Sequence, residues 1–457
     1  MTSGPSSAVS TAGDRQRTSR PTPTSRRDQG LFALLTSLVA LDGIIPSAVN
    51  FWFLPHVNSD VADTAPRHEL AVLASRVLVV ALVAGALLVV SRKARSLRGD
   101  FGDLLCLLAL PAYFMVAGLA DTTLGVAEIL GFAVVVLVLV AVWMLDVDAT
   151  SLRTLAVCAV AVAVYSIALG IAIPNAAFFG GLDASGSLIP ADKAIIGSNL
   201  LAGPFGHSNT LGVFMALTLP LAIAAWRGWR RGFAVLSMGL ALLWSGSRTS
   251  MLAALVALAA MALVRLHRHR TKTVLAGMIL LACWLAATCV PLLVQERTIF
   301  TRRGAIWYES RLAWLEMPVV GRGANWYSEI GAVTNDLGAQ ASSGHSLLLT
   351  WLVTGGLVAA AAGALVLIRL GRRSVQALAD GATEGFFGFC VALAVISTLE
   401  MVWVMDASSE LFFVTVYCAA VLLRSGLNGA GSDGLARRTP DRRVWHRRGS
   451  SSSRGAS

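Results

Sequence analysis

Four short clusters in this 457-residue chain combine residue types that can do chemistry. Gly203-Pro-Phe-Gly-His207-Ser-Asn209 holds an imidazole and an amide in a Gly/Pro-shaped turn. It reads either as a turn with Asn209 capping the next helix or as a substrate contact through His207 or Asn209. Ser245-Gly-Ser-Arg248-Thr-Ser250 sets a guanidinium beside a helix start. That placement suits a phosphate, and it equally suits an interfacial arginine reaching for water. Arg303-Gly-Ala-Ile-Trp307, followed by Arg311 and Trp314, lays Arg303 and Trp307 on one helical face, and Pro318-Val-Val-Gly321-Arg-Gly323 then ends that helix in a turn. Gly344-His345 supplies a group that takes a proton near neutral pH, and Gly355-Gly356 downstream permits close helix packing.

The elements that must position these clusters are apolar. Twelve stretches are expected to span a membrane: 31–55, 70–90, 101–120, 122–145, 153–173, 209–226, 232–247, 249–265, 273–294, 345–368, 385–405 and 408–424. A spanning helix needs about 20 apolar residues. The split at Ser247-Arg248-Thr249 is argued from length, since 232–265 as one helix would run ~50 Å, too long for one span. Arginine and lysine then fix orientation. They concentrate in the N-terminal tail, in 91–100, 227–231, 265–272 and 369–375, and in the C-terminal tail. With twelve spans all six lie on one side, which the positive-inside rule makes cytoplasmic. Both termini are expected there. Two long gaps, 174–208 and 295–344, fall outside, the larger just before the tenth span, and the four clusters converge on that face. Near Ala305–Leu315 an amphipathic helix is expected, and the aromatics interleaved with charges argue against disorder.

Composition agrees with one integral membrane domain. The chain is 56% hydrophobic and 14% charged, against about a quarter charged in soluble domains. Its mean hydropathy is +0.69. The net charge of +11 sits largely in tails and short loops, where it orients the protein; no aromatic-interleaved basic surface suits nucleic acid. All six cysteines fall inside apolar segments and read as small core residues, not as disulfides or metal ligands. Residues 1–29 and 425–457 read as disordered basic tails flanking a domain over 30–424, with no cleavable signal evident. Asp146-Val-Asp148 fits a metal-holding Asp-x-Asp pattern but falls in a short cytoplasmic loop and reads as a solvated turn. Asp42, Arg76 and Glu400 are polar residues within expected spans, costly there and unassigned.

Taken in order, these motifs resemble the O-antigen ligase and polymerase superfamily of bacterial membrane glycosyltransferases. The resemblance covers about 203–356. It rests on Gly203-x-x-x-His-Ser-Asn209, Ser247-Arg248, Arg303-x-x-x-Trp307 with Pro318-x-x-Gly321-x-Gly323, and His345 with Gly356. Family members often carry Pro-Asn at Ser208-Asn209, His-Asn at His345-Ser346, and Glu before the Gly at Thr354-Gly355. The resemblance implies an inverting, metal-independent transfer on the outer leaflet of the bacterial plasma membrane, with no cofactor. The donor would be a polyprenyl-diphosphate glycan and the acceptor a hydroxyl on a glycan, lipid or protein. It implies Arg248 and Arg303 as diphosphate ligands, with Arg311 or Arg302 second, and His345 as base. His207, Asn209, Trp307, Gly321, Gly323 and Gly356 would shape the site. Two rivals stand beside this reading: a flippase for lipid-linked precursors, which would need charge lining mid-membrane spans, and a non-catalytic assembly partner. Ligase and polymerase, the glycan, and the oligomeric state stay open.

Overall fold

Long runs of Leu, Val and Ala with charges at their ends have one stable backbone solution in lipid. The α-helix satisfies every N–H and C=O within the segment. The computed structural model of the chain describes residues 26–54, 67–93, 101–120, 125–145, 147, 151–180, 188–300, 303–327, 343–382 and 384–425. They belong to one compact unit, Thr24–Gly429. The helices are α1 (Arg26–Phe53), α2 (Glu69–Lys93), α3 (Phe101–Ala120), α4 (Val126–Met144), α5 (Ser151–Ala172), the short α6 (Pro174–Ala177), α7 (Ser208–Ala225), α8 (Gly228–Trp244), α9 (Arg248–Arg265), α10 (His269–Leu293), α11 (Arg303–Glu316), α12 (Leu347–Ala379), α13 (Gly385–Ser397) and α14 (Cys418–Arg424). A π-helical turn, Phe413–Tyr417, leads into α14. The two-residue strands β1 (Phe178–Phe179) and β2 (Leu200–Leu201) pair antiparallel, with Phe178 opposite Leu201.

Among the described residues eight helices are long and apolar enough to cross a membrane: α1, α2, α3, α5, α7, α9, α10 and α12. Shorter apolar helices lie within α4, α13 and the stretch 413–424. The protein is thus a mostly helical, multi-pass membrane protein. Its centre is α7 and α13, whose Phe214, Phe387 and Phe389 are fully buried. Outer helices turn Val80, Leu105, Leu236 and Leu255 away from the core, as lipid-facing helices must.

The expected break before Arg248 is present, and its cause is local. Ser245 Oγ donates to Leu242 O at 2.7 Å, Gly246 takes φ +63°, and Ser247 N–H donates to Ser245 Oγ at 3.3 Å. Side-chain bonds to the backbone end α8 before α9 starts. The eleventh and twelfth stretches depart from expectation. Helix α13 stops at Ser397, eight residues before the expected end at 405, and regular helix resumes only at the π-turn beginning at Phe413. Between them Asp406 Oδ1 accepts from Ser408 N–H at 3.0 Å, and Ser409 Oγ accepts from Leu411 N–H at 3.3 Å. Those turns compete with helix, and they leave Glu400 beyond the helix end instead of within a span. The tenth stretch, in contrast, runs on to Ala379.

One end of the bundle is clamped by ion pairs. Lys93 pairs with Asp28 at 2.6 Å, Lys272 with Glu384 at 3.0 Å, and Asp103 with Arg373 at 2.7 Å and Arg369 at 3.4 Å. Arg424 Nε–H donates to the carbonyls of Trp143 and Leu145 at the end of α4.

Candidate functional site

At the opposite end three segments meet: the start of α11, the residues leading into α12, and the non-helical stretch after α13. Arg303, the first residue of α11, donates through Nη2 to Glu400 Oε1 at 2.5 Å. The other carboxylate oxygen of Glu400 lies 3.7 Å from His345 Nδ1. One largely buried carboxylate therefore bridges a guanidinium and an imidazole. Burial alone would push the Glu400 carboxyl up; the neighbouring imidazole of His345 and the charge of Arg303 outweigh it and hold the group below the usual carboxylate range.

His345 itself is held in a costly conformation. Its φ is +42°, a left-handed value that costs a non-glycine residue about 1–2 kcal/mol. Neighbouring bonds enforce it. Trp307 Nε1–H, fully buried on α11, donates to His345 O at 3.4 Å. Ser343 Oγ accepts from His345 N–H at 3.3 Å. Thr350 Oγ1 accepts from Gly344 N–H at 3.1 Å and donates to Ser346 O at 2.8 Å. His345 thus precedes α12, whose N-cap is Ser346, and does not open the helix as expected.

A second arm brings more charge. Lys193, in the loop between β1 and β2, sits close enough to Glu400, Arg303 and Arg248 to feel all three charges. Its carbonyl lies over Gly246, where a Cβ would come within 3.0 Å, so the loop rests on the turn that starts α9. Desolvation lowers the Lys193 ammonium from its ordinary value. His207 is the N-cap of α7: its Nδ1 accepts from Asn209 N–H at 2.9 Å. The imidazole, not Asn209, therefore makes the cap. Burial first, then the nearby Lys193 charge, push His207 down to about 4, so it stays neutral at pH 7. Phe179 packs on its ring at 4.0 Å.

The Pro318–Gly323 turn explains its own glycines and Gly356 together. Helix α12 is interrupted at Gly356, φ +62° and ψ −160°. The turn plugs into that break. Pro318 O accepts from Leu357 N–H at 2.9 Å, Val319 O from Val358 N–H at 3.2 Å, and Val353 O from Arg322 N–H at 2.6 Å. A Cβ on Gly356 would lie 2.2 Å from Val319 O, and one on Gly321 would lie 2.5 Å from Gly355 N. Tyr113 Oη–H from α3 donates to Val320 O at 2.9 Å. Helix α11, which carries Arg303 and Trp307, is thereby locked to α12, which follows His345.

The remaining expected residues scatter. Arg311 Nη1–H groups donate to Pro291 O, Leu292 O and Val294 O, closing the end of α10. Arg248 is the exception: exposed, it is the first residue of α9 and its charge reaches Lys193. Gly323 takes φ +95°, which suits only glycine. Arg302, Asp146 and Asp148 lie outside the described residues. Asp42 is fully buried in α1 and Arg76 is exposed on α2; neither touches the cluster. Sequence reasoning missed Lys193. One signal marks it: Lys193 is the sole lysine or arginine between Pro174 and Ser208.

This clustering of histidine and arginine motifs at one end invites comparison with known families. Residues 233–364 match the O-antigen ligase family. The match spans Arg248, Arg303, Trp307, Gly321, Gly323, His345 and Gly356, and so bears out the resemblance to the O-antigen ligase and polymerase superfamily. Lys193, His207, Asn209 and Glu400 lie outside the O-antigen ligase match. No curated protein matches the chain.

Proposed function

We propose that this chain moves a glycan from a polyprenyl-diphosphate carrier to an acceptor hydroxyl, with inversion at the anomeric carbon and without a metal. The carrying observation is the Arg303–Glu400–His345 bridge beside Lys193 and Arg248. Lys193, Arg248 and Arg303 bring three cations to the end of the bundle that holds the Glu400 carboxylate. The surplus of two positive charges complements a diphosphate diester.

The chemistry follows from those roles. The acceptor O–H gives its proton to His345 as its oxygen bonds the anomeric carbon; the bond from that carbon to the diphosphate oxygen breaks, and the electron pair leaves with the lipid diphosphate. Lys193, Arg248 and Arg303 meet the charge that develops on the leaving group. Glu400 orients the imidazole and stabilises its protonated form, as the carboxylate does in a catalytic triad. The strained backbone at His345 is the kind of cost that persists where geometry is functional. Topologically the proposal takes twelve spans, both termini cytoplasmic, and the site on the extracytoplasmic face of a bacterial plasma membrane.

Purified protein given a polyprenyl-diphosphate oligosaccharide, an acceptor and EDTA should release polyprenyl diphosphate. Arg303→Ala and His345→Ala should stop that release while remaining folded by size exclusion. Lipid translocation surviving both substitutions would instead indicate a flippase. Long product ladders identify a polymerase, single transfers a ligase. Cysteines placed at Ser185 and Ser328, both outside the described residues, should react with an impermeant thiol reagent on intact cells, and one at Ser96 should not.

A further inference from the structure

Near the Gly206–His207 turn, α1, α5 and the residue before α2 carry aromatic rings in fixed poses. Trp52 is 52% exposed and Phe53 55% exposed, although both are large and apolar. Trp52 Nε1–H donates to Tyr165 Oη at 2.8 Å. Phe53 stacks on His68 at 4.2 Å with the planes 13° apart, and His68 N–H donates to Asn50 Oδ1 at 2.9 Å. Aromatic residues that anchor a helix at a lipid interface turn their polar tips to the headgroups. Here the indole N–H is spent on Tyr165, and the phenyl ring is pinned by an imidazole. What remains is a set of rigid ring faces edged by polar groups.

The platform is joined to the candidate site. Glu410 Oε1 accepts from Gly206 N–H at 2.9 Å and from Ser47 Oγ–H, tying the His207 turn to α1. The ring of Phe51 lies 3.6 Å from where a Gly206 Cβ would be. His207 in turn feels the charges of Lys193, Glu400 and Arg303.

Building on the glycan-transfer reading, we infer that Trp52, Phe53 and His68 form the subsite for the acceptor saccharide. A pyranose offers an apolar face of C–H groups with hydroxyls around its rim. That pattern fits a flat ring surrounded by Asn50, Arg67 and Glu410, and matches the usual build of a ligand site, apolar walls with a few placed polar groups. An acceptor held there lies near the turn that carries His207, at the same end of the bundle as His345.

The test separates binding from turnover. Oligosaccharide cut by mild acid from the host's finished cell-surface glycan, used as the acceptor probe, is added to full-length protein in nanodiscs, without donor, and binding is read by saturation-transfer NMR. Wild type should bind; Trp52→Ala should weaken binding at least tenfold; Trp52→Phe, which keeps a ring, should recover most of it. In turnover assays Trp52→Ala and Phe53→Ala should raise acceptor KM tenfold or more and leave donor KM within about twofold. Equal binding by wild type and Trp52→Ala, or donor and acceptor KM rising together, overturns the subsite. Trp52-dependent oligosaccharide binding without any release of polyprenyl diphosphate keeps the subsite and overturns the transfer reading.

Discussion

The two ends of the helix bundle use the same charged residues to opposite purpose. At the clamped end Asp28 is matched by Lys93, Glu384 by Lys272, and Asp103 by both Arg369 and Arg373, each from a neighbouring helix. At the other end a single carboxylate, Glu400, is shared by Arg303 and His345, and Lys193 and Arg248 have no ion-pair partner among the described residues. Charge satisfied within the fold holds helices together. Charge left in surplus, in a partly desolvated place, is set up for something that arrives with the opposite sign.

Several substitutions would break or sharpen that contrast. The largest effect is expected at the shared carboxylate. Glu400→Gln keeps the shape but removes the charge that orients His345, and kcat for polyprenyl-diphosphate release by the folded fraction should fall by on the order of 10²–10⁴, beyond the drop in unfolding midpoint that comes from leaving Arg303 without its ion-pair partner. At the clamped end the reverse is expected. Asp103→Asn strips the partner from two arginines, so stability in detergent should drop by about 1–3 kcal/mol, read as a lower unfolding midpoint, while the folded fraction keeps its specific activity. Gly356→Ala joins the two: its Cβ would collide with Val319 O at a positive φ. It should cost about 1–3 kcal/mol and lower kcat as well, because the turn it displaces fixes Arg303 relative to His345.

The smallest effect comes from pH. His207 titrates near 4 in the fold against 6.5 ordinarily. Between those values the unfolded chain binds more protons, so stability falls as pH drops from 6.5 towards 4, by at most about 3 kcal/mol. His207→Gln should flatten that slope in unfolding midpoints measured from pH 4 to 7. A slope unchanged by the substitution would mean the imidazole is not the buried group described.

Much of this was legible in the sequence because hydrophobic run length and arginine placement act locally. The starts of α3, α7, α9 and α13 fall within a residue of expectation. The break at Ser247 followed from length alone. Arg303, Trp307 and His345 stood out through the resemblance of their motifs to a known family, and the structure brings them together. Glu400 was noticed as a costly polar residue in an apolar stretch but not placed, since nothing local says that α13 ends three residues earlier; that ending depends on turns around Asp406 and Ser409. Lys193 was invisible for a related reason. Its partners lie on α9, α11 and the stretch after α13, and only the tertiary fold puts a lone lysine among them. Arg311 shows the converse: the right residue type one helical face away, engaged by the carbonyls of α10.

The plugged break in α12 has a bearing on how such proteins can be re-engineered. Three backbone bonds at the gap are made with the Pro318–Arg322 turn, not within the helix. Transplanting the segment between α10 and α12 of a relative onto this scaffold would thus replace part of the scaffold's own secondary structure. Chimaeras intended to exchange that segment need to carry residues 318–323 and 353–358 as one inseparable module, or the recipient helix is left with carbonyls and amides stranded in a bilayer.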